Sequence, residues 1–256
     1  MTADNPRATT PASKLHWLSQ PWRDLLDATE RLVDDGARAW LVAGVAFVAA
    51  WFVYVPVHEL LHALGCLASG GEVTRLEVAP QYGGALLARI FPFVVSGSSY
   101  AGQLTGFDTH GNDGVYLATV LAPYVLTIFP GVALLRRATV AASPLRAAVG
   151  IGSALPLAFA PFLSLPGDYY EAGSIVMTRI AASAGVLADI AALRSDDVFK
   201  LAEALRERDA SSLDWTLVAV ALVGGFLLAL LTYHLGTRAA RLGRGNRAPA
   251  ITENRT

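Results

Sequence analysis

Four stretches of this chain carry no Asp, Glu, Lys or Arg: Ala39–Val57, Val115–Leu135, Ala147–Leu165 and Trp215–Leu235. Each is close to the roughly 20 apolar residues that cross a bilayer. Inside lipid a backbone has to satisfy its own hydrogen bonds, so a spanning segment is a helix or part of a closed barrel. Uncharged runs this long, without strict two-residue alternation, are helices. The composition agrees: 54% of residues are hydrophobic and 16% charged, against about 25% charged in an ordinary soluble domain. The expected fold is an all-α polytopic membrane protein with about four to five transmembrane helices and a small β or re-entrant element.

Three regions follow from this pattern. Residues 1–38 form a polar N-terminal segment, residues 39–236 the membrane-embedded domain, and residues 237–256 a basic tail expected to be cytoplasmic and disordered. The first apolar run starts too late for a signal peptide and is expected to stay as an anchor. Glu72–Val78 alternates polar and apolar residues and predicts a strand. Leu86–Ser96, broken by Arg89 and Pro92, reads as a strand or re-entrant piece resting on the site. Gly83-Gly84 reads as a hairpin turn, and Gly102–Gly114 as a glycine-rich loop in which Asn112-Asp113 turns. Ser174–Leu193 is helical, but Arg179 and Asp189 leave it between a surface helix and a fifth span. Asp196–Asp214 reads as a charged amphipathic surface segment.

Arginines at 238, 241, 244, 247 and 255 argue for a cytoplasmic C-terminus. Four spans then put His58, His62 and Asp168 together on the non-cytoplasmic side. A fifth span over Ser174–Leu193 would move all three to the cytoplasmic side. They share a side either way, because two spans separate them.

The net charge of -1 shows no basic stripe for nucleic acid. Cys66 is the only cysteine, which excludes an intrachain disulfide and a cysteine metal cluster. The chemistry instead lies in His58-Glu59-Leu60-Leu61-His62, at the end of the first apolar run. Ionisable residues are costly there and point to function. Two histidines four apart share one helical face and can bind one ion, with the intervening glutamate beside them. A zinc hydrolase takes three protein ligands and keeps one position open. His58 and His62 supply two; Glu59 is the expected general base. The extended motif with a third histidine on the same segment is excluded, because Gly65 fits but Ala68 stands where that histidine would be. His16 and His234 are poorly placed. His110 is on the correct side but in a loop, and Asp168, an acid at a helix break after an apolar run, is the stronger third ligand. Its alternative role is to cap the following helix.

These residues resemble the site-2 protease family of intramembrane zinc metalloproteases. The likeness lies in His58-Glu59-Leu60-Leu61-His62-Ala63-Leu64-Gly65 and in Pro161-Phe162-Leu163-Ser164-Leu165-Pro166-Gly167-Asp168, over residues 40–195. It implies a three-helix catalytic core, zinc held by His58, His62 and Asp168, and Glu59 as catalytic base. It also implies peptide-bond hydrolysis in a membrane-embedded or membrane-tethered protein, by a multi-pass protein of the bacterial plasma (inner) membrane. Gly167-Asp168-Tyr169 departs from the family's Leu-Asp-Gly. Two other functions fit the residues: a membrane zinc hydrolase acting on a lipid or small molecule, and a non-enzymatic scaffold or metal carrier.

Overall fold

The computed structural model describes residues 17–187 and 189–245. Helix α1 (Gln20–Asp34) precedes the long α2 (Ala37–Ala68). A small sheet region follows: β1 (Glu72–Val78), α3 (Gly84–Ile90), β2 (Val94–Ser96) and β3 (Gly102–Asp108). Then come α4 (Asp113–Leu121), α5 (Val132–Ala138), α6 (Pro144–Ala158), α7 (Ala160–Leu163), α8 (Asp168–Ser183), α9 (Val198–Glu207) and α10 (Ser212–Gly245). Among the described residues, three segments are long and apolar enough to cross a membrane: Ala37–Ala68, Asp113–Ala138 and Ser212–Leu242.

α2 runs through Pro56 without a break for 32 residues, about 48 Å at 1.5 Å per residue. Gly70, in the left-handed region at φ 95°, turns the chain out of it. α4 returns antiparallel to α2, and its continuation bends at Phe129-Pro130 before α5. α6 then runs parallel to α2, with Ala43 and Ala154 in one buried cluster. Small residues on both helices allow the axes to come close. α8 continues in the same direction after the break at Ser164–Gly167 and lies antiparallel to α10.

Several expectations are corrected here. Ser174–Leu193 is not a separate helix. Its first part is the end of α8, which begins at Asp168 and stops at Ser183, followed by a short turn at Ala191–Leu193. Asp168 therefore lies midway along a broken α6–α7–α8 path and not at the end of a span. Gly83-Gly84 opens helix α3, with Gly83 at φ 81°, and is no hairpin turn. Leu86–Ile90 is helical because only Val94–Ser96 finds a strand partner, pairing parallel with Leu76–Val78. Much of the expected glycine-rich loop is β3, paired antiparallel to β1 across an irregular register at Arg75. Its small residues hid a strand whose order comes from β1. Asn112 caps α4, accepting from the Gly114 and Val115 N–H groups. The N-terminal segment holds α1, and α10 continues past Leu235 to Gly245, so the first part of the expected disordered tail is helix. Residues 1–16, with His16, and residues 246–256 lie outside the described residues.

Charged clusters occupy the two ends of the bundle. At one end Asp24 is buried and takes Arg136 at 3.0 Å and the Tyr233 hydroxyl at 2.8 Å. At the other, Asp113 pairs with Arg194 at 2.8 Å and Arg179 at 2.6 Å. Between them the outer faces are apolar: Val45, Val53 and Leu64 on α2 and Val223, Leu227 and Leu231 on α10 are exposed. Charge at the ends and exposed hydrocarbon between them is the arrangement that a bilayer requires.

Candidate metal centre

His58 and His62 lie on consecutive turns of α2, and both are buried. α8 brings Asp168 to them from more than a hundred residues away. Their ligating atoms form a tight triangle. His58 Nε2 is 3.1 Å from His62 Nε2, and Asp168 Oδ2 is 3.3 Å from the first and 3.6 Å from the second. Ligands about 2.0–2.1 Å from a tetrahedral zinc stand about 3.3–3.4 Å apart, the edge of that tetrahedron. The triangle thus has the size of one face of such a site. Among the described residues this is the group of His, Cys, Asp and Glu side chains that could hold a metal ion.

The remaining polar atoms are fixed by neighbours. The Thr119 carbonyl lies 2.9 Å from His62 Nδ1 and the Tyr54 hydroxyl 2.7 Å from His58 Nδ1. An N–H at each Nδ1 leaves each Nε2 lone pair directed at the centre. The Tyr124 hydroxyl donates to Asp168 Oδ2, fixing the carboxylate. Gly167, not Asp168, stands at the N-cap of α8, and no side chain caps that helix. The capping alternative for Asp168 is therefore not what its carboxylate does.

Glu59 faces a cleft of about 520 Å³ that also reaches His62 and Asp168. Gly102 at the start of β3 makes room for it. A Cβ on Gly102 would come within 2.3 Å of Glu59 Cγ and 2.8 Å of its Cδ. β3 is one of the two edge strands of the sheet, and Gly102–Thr105 and Phe107 line the cleft. Leu86–Pro92 does not line it, so the piece of chain against the site is β3 and not the segment that its apolar run suggested. Across the cleft from β3 lies the 194–197 segment, tied to it by Gln103 Nε2 to Asp196 Oδ2 at 2.6 Å and the Tyr100 hydroxyl to Asp197 Oδ2 at 3.2 Å. Burial opposes ionisation of Asp197. The N–H groups of Lys200 and Phe199, with the Tyr100 hydroxyl, still hold its carboxyl below the usual range.

The centre is deeper than the chain alone suggests. From Trp215 to Thr237 α10 carries no Asp, Glu, Lys or Arg, a length of about 34 Å. Gly225 abuts the Tyr169 backbone, beside Asp168, about 15 Å from the start of that stretch. Counting residues along α2 puts the histidines at the edge of the span; packing against α10 puts them near the middle of the uncharged layer.

The other two histidines among the described residues stay away. His110 is in a tight turn at φ 52°, beside Asp108 and Glu72, and His234 meets the Trp17 carbonyl. Sequence reasoning did not find Tyr54, Thr119, Tyr124 or Gly102. Tyr54, one turn before His58, carried a usable signal: residues four apart on a helix touch. No known protein family, curated protein or solved structure matches this chain.

Proposed function

We propose that this protein is an intramembrane zinc metalloprotease that hydrolyses a peptide bond in a membrane-embedded or membrane-tethered protein. One observation carries the reading: two histidines and an aspartate from distant helices meet at 3.1–3.6 Å, in a cleft that also holds Glu59. Two nitrogens and one oxygen with a further position open are the donor set of a catalytic zinc, as opposed to a closed structural one. The likeness to site-2 proteases in the two motifs points the same way. When bound, zinc supplies a Lewis acid for the scissile carbonyl and for the attacking water.

The chain's own residues do the rest. His58, His62 and Asp168 hold the ion, and Tyr54, Thr119 and Tyr124 fix their orientation. The Glu59 carboxylate takes a proton from the attacking water and returns it to the leaving amine. The free edge of β3 supports binding of an extended segment by strand addition. A helical substrate has to unwind locally to offer such a segment, because its own backbone bonds are closed.

The helix directions favour four crossings: α2, α4–α5, α6–α7–α8 and α10. The start of α2 and the end of α10 then lie on the same, arginine-rich side, the cytoplasmic side of a plasma membrane. The test is metal stoichiometry on purified protein together with cleavage of membrane-tethered peptides. His58→Ala, His62→Ala and Asp168→Ala should lose zinc and activity. Glu59→Gln should keep zinc and lose activity. Full activity in zinc-loaded Glu59→Gln would end the hydrolase reading. Turnover of lipids with none of peptides would end the protease reading.

A further inference from the structure

Glu171 is a second carboxylate in the wall of the cleft, and the chemistry above leaves it without a task. It stands one turn beyond Asp168 on α8. The two side chains therefore share a helical face, with Cβ atoms about 5–6 Å apart. Only 8% of Glu171 is exposed. The Tyr116 hydroxyl donates to its Oε1 at 2.5 Å. Among the described residues no donor meets Oε2 and no cation pairs with the carboxylate. Arg194 also lines the cleft, but its guanidinium is committed. It donates to the two oxygens of Asp113 at 2.8 and 3.1 Å and to the Thr178 hydroxyl at 2.9 Å. A buried carboxylate without a counter-charge is costly, and a cation supplied by a ligand removes that cost. Asp196 and Asp197, on the wall opposite β3, add a field of the same sign.

We propose that Glu171 is the specificity-determining residue of this site. Its Oε2 receives the ammonium or guanidinium of a Lys or Arg side chain in the bound segment. This inference rests on the protease reading and adds the substrate's chemistry to it. An extended chain advances about 3.3 Å per residue, and Glu171 is one helical turn from the ligand Asp168. The basic residue accordingly falls within about two positions of the bond to be cut. Tyr116 holds the carboxylate in place for it, and Arg194 is kept out of the way by Asp113.

The experiment uses the full-length, zinc-loaded protein and one membrane-tethered peptide. Lys, Arg, Met or Glu is placed in turn at each position flanking the scissile bond. Affinities are measured on the Glu59→Gln background and cleavage with Glu59 intact. Lys and Arg probes should bind at least about tenfold more tightly than the Met probe at one position. Adding Glu171→Gln should remove that difference, and Glu171→Lys should shift the preference to the Glu probe. Equal affinities for the Lys and Met probes, or a preference that survives Glu171→Gln, would overturn the proposal. So would loss of zinc from Glu171→Gln, which would make Glu171 a support of the metal centre. The Lys and Met comparison with Glu171 intact decides the matter even where Glu171 variants fail to fold. Cleavage without a basic preference sinks the cation site and keeps the protease; a basic preference in binding without cleavage does the reverse.

Discussion

Gly102→Ala places one methyl group against Glu59, the proposed general base. The backbone at Gly102 is outside the left-handed region, so alanine meets no conformational barrier there, and the effect is purely one of space. The new Cβ would stand 2.3 Å from Glu59 Cγ and 2.8 Å from Cδ, where ordinary contact needs about 3.4–4 Å. Relief requires a displacement of about 1 Å by the Glu59 side chain or by β3. A 1 Å misplacement at a reacting group costs about 10²-fold in rate, equivalent to about 2.7 kcal/mol at 1.36 kcal/mol per tenfold. The ligands are untouched, so zinc content should stay at the wild-type level while kcat falls. Gly44→Ala is the control, because a Cβ on Gly44 meets nothing within 4 Å. It should leave turnover unchanged. The assay is zinc content by elemental analysis beside single-turnover cleavage of a membrane-tethered peptide. Turnover of Gly102→Ala within twofold of wild type, with full zinc, would refute the placement of Glu59 against β3.

Tyr124→Phe removes the donor that fixes Asp168 and should weaken zinc binding about 10–100-fold, read by competition with a chelator; the protein should remain folded. Asp24→Ala breaks the buried contacts to Arg136 and Tyr233 and should destabilise the bundle by about 3 kcal/mol. Thermal unfolding in detergent measures this, with zinc content unaffected in the folded fraction. Asp197→Ala deletes the side chain that caps α9 through the Phe199 and Lys200 N–H groups and should cost about 1 kcal/mol, seen as faster amide exchange at 199–200. Because the folded Asp197 carboxyl is held low, its contribution is present above the ordinary aspartate range near 3.9. That contribution is lost as pH falls through the lowered value, so the protection of the 199–200 amides, measured against their intrinsic exchange rate at each pH, should fall on acidification in wild type and not in Asp197→Ala.

Much of the architecture was legible in the chain, because lipid leaves few options. Uncharged runs had to be helices, and Glu72–Val78 showed a strand by alternation. His58 and His62 were readable as a pair because one helix sets their spacing. β3 was not legible. Gly102 and Gly106 carry no side chain to alternate, and the strand exists because β1 offers it hydrogen bonds. α8 was misread for a related reason. Its polar first turn belongs to a cleft inside the bundle, and a linear scan reads such residues as a helix boundary or a surface.

The local order of residues therefore determined the helices, the face of α2 that carries His58 and His62, and the place of Glu59 beside it. Those depend on contacts within a turn or two. Depth, distance and company were decided by packing. Only the seating of α8 against α4 and α10 brings Asp168 Oδ2 to 3.3 and 3.6 Å from the two imidazoles. Only Gly225 against Tyr169 puts the centre near the middle of the uncharged layer. Only the fold of β3 over α2 sets Gly102 against Glu59. Each of these joins residues far apart in the chain, and no local periodicity encodes the distance between two helices that meet only after the bundle closes.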